Sequence, residues 1–338
     1  MIVEAIHKLV EKTDLTKHEA YECVREIMSG NASDAMIASF LTALRMKGEI
    51  SQEIAGAALA MREMATKIET KHSNVIDTCG TGGDGLGTFN ISTASAIVAC
   101  AAGAVVAKHG NRAVSSNCGS ADVLKALGVN IELEREQVEQ CLDEVRIAFL
   151  FAPKLHGAMK YAMPVRKELG MRTIFNVLGP LTNPAGAKRQ VLGVFRRGLT
   201  ETLANVLLDL GTERAMIVHG DGGMDELSTI GETRISEIDN GQVRTYSFSH
   251  LSAGIPSASL SDLNGGDIET NRQIIESVLN GSTGAPRDIV VLNAGAAVVV
   301  AGLADSIAEG VQRAQHAIDS GAAKQKLKEL IEFTNSPK

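Results

Sequence analysis

The chain has 338 residues, 44% hydrophobic and 22% charged, which is ample apolar surface to offset chain entropy and excludes intrinsic disorder. Its 33 Lys and Arg against 40 Asp and Glu leave a net charge of −7. Such a mean field repels phosphate, so nucleic acid and membrane are not expected partners and any phosphate site must be built locally.

The first seventy or so residues read as helices only. Thr16 and Glu19 form a capping box for a helix that ends at Ile27 and Met28, before Gly30. Ser33 opens a second helix, with Met36, Ile37, Phe40, Leu41 and Leu44 on one face, stopped at Gly48. Ser51 is expected to cap a third, running through Ile54, Ala58, Met61 and Ala65. Short turns between such helices make a small bundle.

At Asn74 the pattern changes. Val75-Ile76 reads as a strand, followed by a glycine-rich loop, a helix over Ile91 to Ala102 and a strand over Ala104 to Ala107. Further strands are expected at Val129 to Ile131, Ile147 to Phe151, Gln190 to Phe195 and Ala215 to Val218. Helices are expected between them at 120–127, 134–145 and 199–210, giving the β–α alternation of a largely parallel sheet. Asn176 to Pro184 reads as an irregular connector between two lobes, and helices return at 306–318 and 321–333. The fold class is α/β: a small N-terminal helical bundle and a large domain whose mostly parallel central sheet is flanked by helices.

The five cysteines, Cys23, Cys79, Cys100, Cys118 and Cys141, contain no C-x-x-C pair. They fit neither a disulfide framework nor a zinc ribbon, so a reducing cytoplasm is the expected location. Glu4 and the lack of a long apolar core make the N-terminus unlike a signal peptide. The longest apolar stretches, 94–107 and 294–304, fall short of the ~20 residues a bilayer span needs.

Three loops carry the chemistry. The first, Asp77 to Thr88, holds five glycines between a strand and a helix, with Asn90, Ser92 and Thr93 at the helix start. Backbone N–H groups there can cradle a phosphate or pyrophosphate. Gly80, Gly82 and Gly85 match the G-x-G-x-x-G of dinucleotide sites, but Asp84 puts an anion inside the cradle. Lys108 also stands where an acidic ribose ligand is required. An ATP-type P-loop fails because Leu86 follows Gly85. Asp84 makes sense if the ligand brings Mg²⁺ or carries ribose hydroxyls. The second loop, Lys108 to Ser116, offers two cations, a glycine and two hydroxyls at a strand exit, suited to another anionic group, and Ser120 is expected to cap the helix that follows. The third, His219 to Ser228, presents Asp225 and Glu226 after an apolar strand, either as a solvated acidic turn or as Mg²⁺ ligands.

Six segments in order resemble the anthranilate phosphoribosyltransferase family: Gly80 to Asp84, Asn90 to Thr93, Lys108 to Ser116, Gly119 to Leu124, Phe175 to Pro184 and Gly223 to Ser228. One departure is Asn117-Cys118, where a Lys-Ser or similar pair is expected. The resemblance implies a helical domain at 1–72, joined in space by part of 160–187, and a large α/β domain at 73–338. It also implies a homodimer formed through the helical domain. The implied reaction joins anthranilate to 5-phosphoribosyl-1-pyrophosphate (PRPP) and releases pyrophosphate, with Mg²⁺, two ions per monomer when PRPP is bound. Carried over, the family pattern puts Gly80, Gly83, Asp84, Thr88, Asn90, Ile91, Ser92, Thr93, Lys108, His109, Gly110, Asn111, Arg112, Ala113, Val114, Ser115, Ser116 and Ser120 on PRPP. Ser92, Asp225 and Glu226 fall on metal positions. Gly80, Asn111 and Arg166 fall on anthranilate positions, with His109 nearby. No general acid or base is implied. A nicotinamide-dependent oxidoreductase, a phosphosugar sensor and a related nucleoside phosphorylase are the rival readings.

Overall fold

Four helices lead the chain: α1 (Ile2–Val10), α2 (Lys17–Met28), α3 (Asp34–Lys47) and α4 (Ser51–Met64). A computed structural model describes residues 1–113 and 118–336. The Thr16–Glu19 capping box forms as the sequence predicts, and the Ser33 hydroxyl accepts the Met36 N–H. Ser51, however, is the first helical residue of α4 and not its cap. The orphan N–H of Ile50 is met instead by the buried Glu53 carboxylate, which also accepts from Leu15 and pairs with Lys47.

The remainder alternates. β1 (Val75–Gly80), α5 (Ile91–Ala101), β2 (Val105–Gly110), α6 (Ser120–Ala126), α7 (Arg135–Val145) and β3 (Ile147–Phe151) come first. Short helices α8 (Ala152–Leu155), α9 (Met163–Leu169) and α10 (Phe175–Leu178) then lead into β4 (Arg189–Gly193), α11 (Leu199–Asp209) and β5 (Arg214–Gly220). An antiparallel pair, β6 (Glu232–Asp239) and β7 (Gln242–Ser249), precedes α12 (Ile268–Leu279), α13 (Ala285–Val300), α14 (Ile307–Asp319) and α15 (Ala322–Asn335).

The seven strands form one sheet in the order β3-β2-β1-β4-β5-β6-β7, parallel from β3 through β5 and antiparallel beyond. The strand order reverses between β1 and β4, and an open parallel sheet offers a crevice at the carboxyl ends of the strands there. Gly80 and Gly193 are register partners at that edge.

One buried cluster gathers β1–β3 with α5, α6, α7 and α12–α15. The other joins α1–α4 to Val165, Phe175, Leu178 and Leu181 and to residues of β4, α11 and β5. The 176–184 connector is therefore short helical turns packed against the bundle.

The expected strand at Val129–Ile131 is not one. Both residues are buried, but they lie in the loop between α6 and α7, where the Asn130 N–H donates to Thr334 Oγ1. Burial without a ladder partner gave the apolar run its strand-like look. Likewise α6 is capped by Gly119, with Asp122 accepting the Gly119 N–H, and Ser120 is its first residue.

Candidate active site

Every loop singled out in the sequence leaves the carboxyl end of a strand of the same sheet: Gly80 ends β1, Gly110 ends β2 and Gly220 ends β5. In the glycine loop Gly82, Gly83, Gly85 and Gly87 all have positive φ, from 64° to 77°. At Gly83, where φ is 77°, a side chain would be strained and would crowd the Arg172 guanidinium, which donates to the Gly83 carbonyl. The Leu86 N–H donates to Asp84 Oδ1. The chain after the loop is stapled to residues 263–265: Phe89 N–H donates to the Leu263 carbonyl, Gly265 N–H to that of Gly87, and Thr88 bridges Asn264. α5 starts at Ile91, placing Ser92 and Thr93 in its first turn; the Asn90 N–H donates to Asn271 Oδ1 at 3.2 Å. Asn90 Oδ1 and Thr93 Oγ1 are buried and have no partner among the described residues.

Lys108 is buried at the end of β2, and its ammonium donates to the Thr78 carbonyl and to Ser92 Oγ at 3.3 Å. Burial lowers its pKa, opposed by Asp77, Glu226 and Asp225. Asp77, also buried, accepts the His109 N–H at 3.1 Å and the Asn183 amide at 2.8 Å.

Beyond His109 the loop turns back on itself. Asn111 accepts the Arg112 N–H on its side chain and the Ser120 hydroxyl on its carbonyl. Asp122 accepts from both Ala113 and Gly119, and a Cβ on Gly110 would strike Ser120 Oγ and Phe149. Arg112 points elsewhere: it lies 3.6 Å from Asp122 and 3.5 Å from Glu132, over the Phe151 ring. Val114, Ser115 and Ser116, and the departure at Asn117, lie outside the described residues.

The acidic pair is not a solvated turn. Residues 225–228 run across the carboxyl ends of three strands that finish in glycine. A Cβ on Gly80 would strike the Asp225 carboxylate, one on Gly193 would fall on the Asp225 carbonyl, and one on Gly220 would lie 2.7 Å from the Glu226 carbonyl. Asp225 Oδ2 accepts the Gly82 N–H at 2.8 Å, joining this turn to the glycine loop. The contact brings in Asp84, whose carboxylate gathers with those of Asp225 and Glu226 so that one oxygen of each lies within 4.8 Å of the others. Asp84 Oδ2 and Glu226 Oε2 are buried and have no partner among the described residues. Burial, then the neighbouring carboxylates, holds Asp225 and Glu226 above the ordinary carboxylate range. Three such groups together call for protons or a cation, and an all-oxygen donor set suits Mg²⁺. A cavity of about 20 Å³ beneath them is lined by Thr78, Ser92, Asp225, Glu226 and Asn293, among others.

On the connector side, His109 and His156 face each other with ring centroids 5.0 Å apart. His109 Nδ1 donates to the Gly179 carbonyl, while His109 Nε2 and both His156 ring nitrogens are buried and have no partner among the described residues. Burial lowers their pKa to about 3 and about 4, so both rings are neutral at pH 7. Arg166, on α9, lies over the Phe175 ring and has no carboxylate partner among the described residues. Burial lowers its pKa.

Sequence reasoning missed Asn271, Asn293, Arg172 and Gly193. Asn293 left one signal, a lone amide in the apolar helix Ile289 to Val300. The others look ordinary until the elements meet.

The chain matches the glycosyl transferase family, a/b domain, over residues 72–324, and the glycosyl transferase family, helical bundle domain, over 3–65. It is 56% identical over 336 residues to an anthranilate phosphoribosyltransferase of Acetivibrio thermocellus, covering 99% of this chain and 97% of that one. The crystal structure of anthranilate phosphoribosyltransferase from Thermus thermophilus superposes with a TM-score of 0.93 at 43% identity, over 98% of this chain and 99% of that one. The Saccharomyces cerevisiae protein in complex with PRPP and Mg gives 0.90 at 28% identity, over 99% and 98%.

Proposed function

This chain belongs to the anthranilate phosphoribosyltransferase family, and from that premise we infer that it transfers the 5-phosphoribosyl group of PRPP to the amine of anthranilate. The products are N-(5-phosphoribosyl)anthranilate and pyrophosphate, in the second step from chorismate to tryptophan. The observation that carries this reading is the junction of the glycine loop with the acidic turn: an anion cradle fused to three carboxylates that need a cation.

Loss of pyrophosphate from the anomeric carbon leaves an oxocarbenium-like centre, so the site must chiefly stabilise the leaving group and hold the amine close. Bound Mg²⁺, two ions per monomer, would neutralise pyrophosphate charge. Asp225, Glu226 and Ser92 would hold it, and the position of Asp84 adds a further carboxylate. The PRPP set is Gly80, Gly83, Asp84, Thr88, Asn90, Ile91, Ser92, Thr93, Ser120 and the loop from Lys108. Backbone N–H groups of the glycine loop would meet phosphate oxygens at the N-terminus of α5, and Lys108 adds a buried cation near Ser92. Arg112, committed to Asp122 and Glu132, must change partners to reach it.

The acceptor set is Gly80, Asn111 and Arg166. A guanidinium without a carboxylate partner, over an aromatic ring, suits the carboxylate of an aromatic acid. Neutral His109 nearby, with His156 against it, does not repel an aromatic amine. That amine is itself neutral at pH 7, so no strong base is required.

The division at residue 72, with part of 160–187 joined to the bundle, is supported by the packing of Val165, Phe175 and Leu178 on α1–α4. A homodimer through the helical domain is supported by Val3, Val10 and Met46, exposed on α1 and α3. Among the described residues no helix is long and apolar enough to cross a membrane. A cytoplasmic location accords with five buried cysteines.

Loss of anthranilate fluorescence that requires both PRPP and Mg²⁺ tests the function. Turnover without Mg²⁺, or binding of a nicotinamide dinucleotide in place of PRPP, would overturn it.

A further inference from the structure

Asn293 lies 66 residues beyond Leu227 of the acidic turn, on a helix that contributes no side chain to the proposed PRPP, acceptor or metal sets. It is buried on α13. Its Oδ1 accepts the Leu227 N–H at 2.9 Å, and its Nδ2 donates to the Leu227 and Ile289 carbonyls, each also at 2.9 Å. The backbone settles the orientation of the amide, because an N–H can meet only Oδ1 and a carbonyl only Nδ2.

A buried amide in an apolar helix is costly unless paired, and two of these three bonds go to one residue. Leu227 immediately follows Asp225 and Glu226. The turn is held elsewhere by its own strands: the Gly220 N–H donates to the Met224 carbonyl and the Ser228 N–H to Thr233 Oγ1. Beneath it, the absence of a Cβ at Gly193 lets the Asp225 carbonyl lie directly against the sheet. The amide holds the turn from the α13 side, at the residue where the backbone leaves Glu226.

We infer that Asn293 is a positioning residue for the metal site: its two-point grip on the Leu227 backbone sets where the Asp225 and Glu226 carboxylates converge with Asp84. The inference rests on the Mg²⁺ reading above. Partners that orient ligating groups are worth roughly 10–100-fold in metal affinity.

Asn293→Leu keeps the branched shape of the side chain, with bulkier ends, and removes all three bonds. Calorimetric titration of Mg²⁺ into the full-length protein with PRPP, and no anthranilate, should give a Kd raised roughly 10–100-fold. Hydrogen exchange at the Leu227 amide should become fast, and the KM for anthranilate should not change. If that variant fails to fold, Asn293→Gln tests the same point, because one more methylene moves the amide off the Leu227 backbone. Thr233→Val is the control: it frees the Ser228 N–H, one residue further from the carboxylates, and should leave the Mg²⁺ affinity intact. Wild-type affinity in the Asn293 variants would overturn the role of Asn293. So would an equal loss in Thr233→Val, or a parallel rise in the KM for anthranilate, either of which marks general loosening. Wild-type protein that binds no Mg²⁺ with PRPP would instead overturn the metal reading itself.

Discussion

The acidic turn and the histidine–arginine face are both ionisable and partly buried, yet they are incomplete in opposite senses. At the turn, Asp84, Asp225 and Glu226 face one another, with Lys108 the buried cation nearby among the described residues. At the connector, Arg166 has no carboxylate partner among the described residues, and His109 and His156 are kept neutral by burial. One region is short of positive charge and the other of negative; under the proposed assignment Mg²⁺ completes the first and the acceptor's carboxylate the second. A two-substrate cleft needs such a division if a metal-laden pyrophosphate and an aromatic carboxylate are not to exchange places.

The sharpest way to break the contrast is to discharge the turn. Asp225→Asn with Glu226→Gln removes both charges at nearly constant volume. The kcat should fall on the order of a thousandfold, the scale of several kcal/mol of electrostatic stabilisation. The fold and anthranilate binding should persist, as circular dichroism and fluorescence titration would reveal. Near-normal Mg²⁺-dependent turnover would mean the pair is structural only.

Moving the turn without touching its charge is the next test. A Cβ at Gly193 meets the Asp225 carbonyl, and backbone cannot swing aside as a flexible side chain does. Gly193→Ala should cost on the order of 100-fold in kcat/KM for PRPP, as misplacements near 1 Å do. Steady-state kinetics with an unaltered PRPP response would show that the turn yields freely.

The opposite region should respond with the other substrate. Arg166→Ala should raise the KM for anthranilate about tenfold, the worth of one charge-assisted hydrogen bond, and leave that for PRPP nearly unchanged. Equal losses for both substrates would indicate damage to the fold.

The smallest effect separates the regions by pH. A carboxyl raised in the folded state holds its proton there while the unfolded chain has released it. The turn therefore loses stability as pH rises through the ordinary carboxylate value of about 4 toward the raised values. The histidines run the other way. Their folded pKa values, about 3 and about 4, lie below the ordinary value, so their contribution is complete above about pH 6.5 and is lost as pH falls toward 4, at up to about 1.4 kcal/mol per unit each. In metal-free protein between about pH 4.5 and 6.5, His156→Asn should make Tm less dependent on acidification, and the double amide variant less dependent on alkalinisation. Identical slopes in the two variants would contradict the assignment.

The elements legible in the sequence are those governed by local rules. The Thr16–Glu19 box, the Ser33 cap, the glycine loop between a strand and a helix, and the strand–loop–helix order needed only neighbouring residues. Val129–Ile131 misled because an apolar run records burial, and burial alone does not separate a strand from a packed loop. Ser51 and Ser120 misled because a cap depends on where the backbone turns helical, and carboxylates at Glu53 and Asp122 took that work.

By itself, then, the amino-acid sequence determined the α/β alternation, the glycine loop between β1 and α5 and the residue types able to hold a metal. Only the tertiary structure decided that Asp84 joins Asp225 and Glu226, that Gly193 gives the turn its room, and that Asn293 grips it from α13. Propensities and caps act over a few residues. Convergence of charges more than a hundred positions apart depends on strand order and on the close approach that glycine permits.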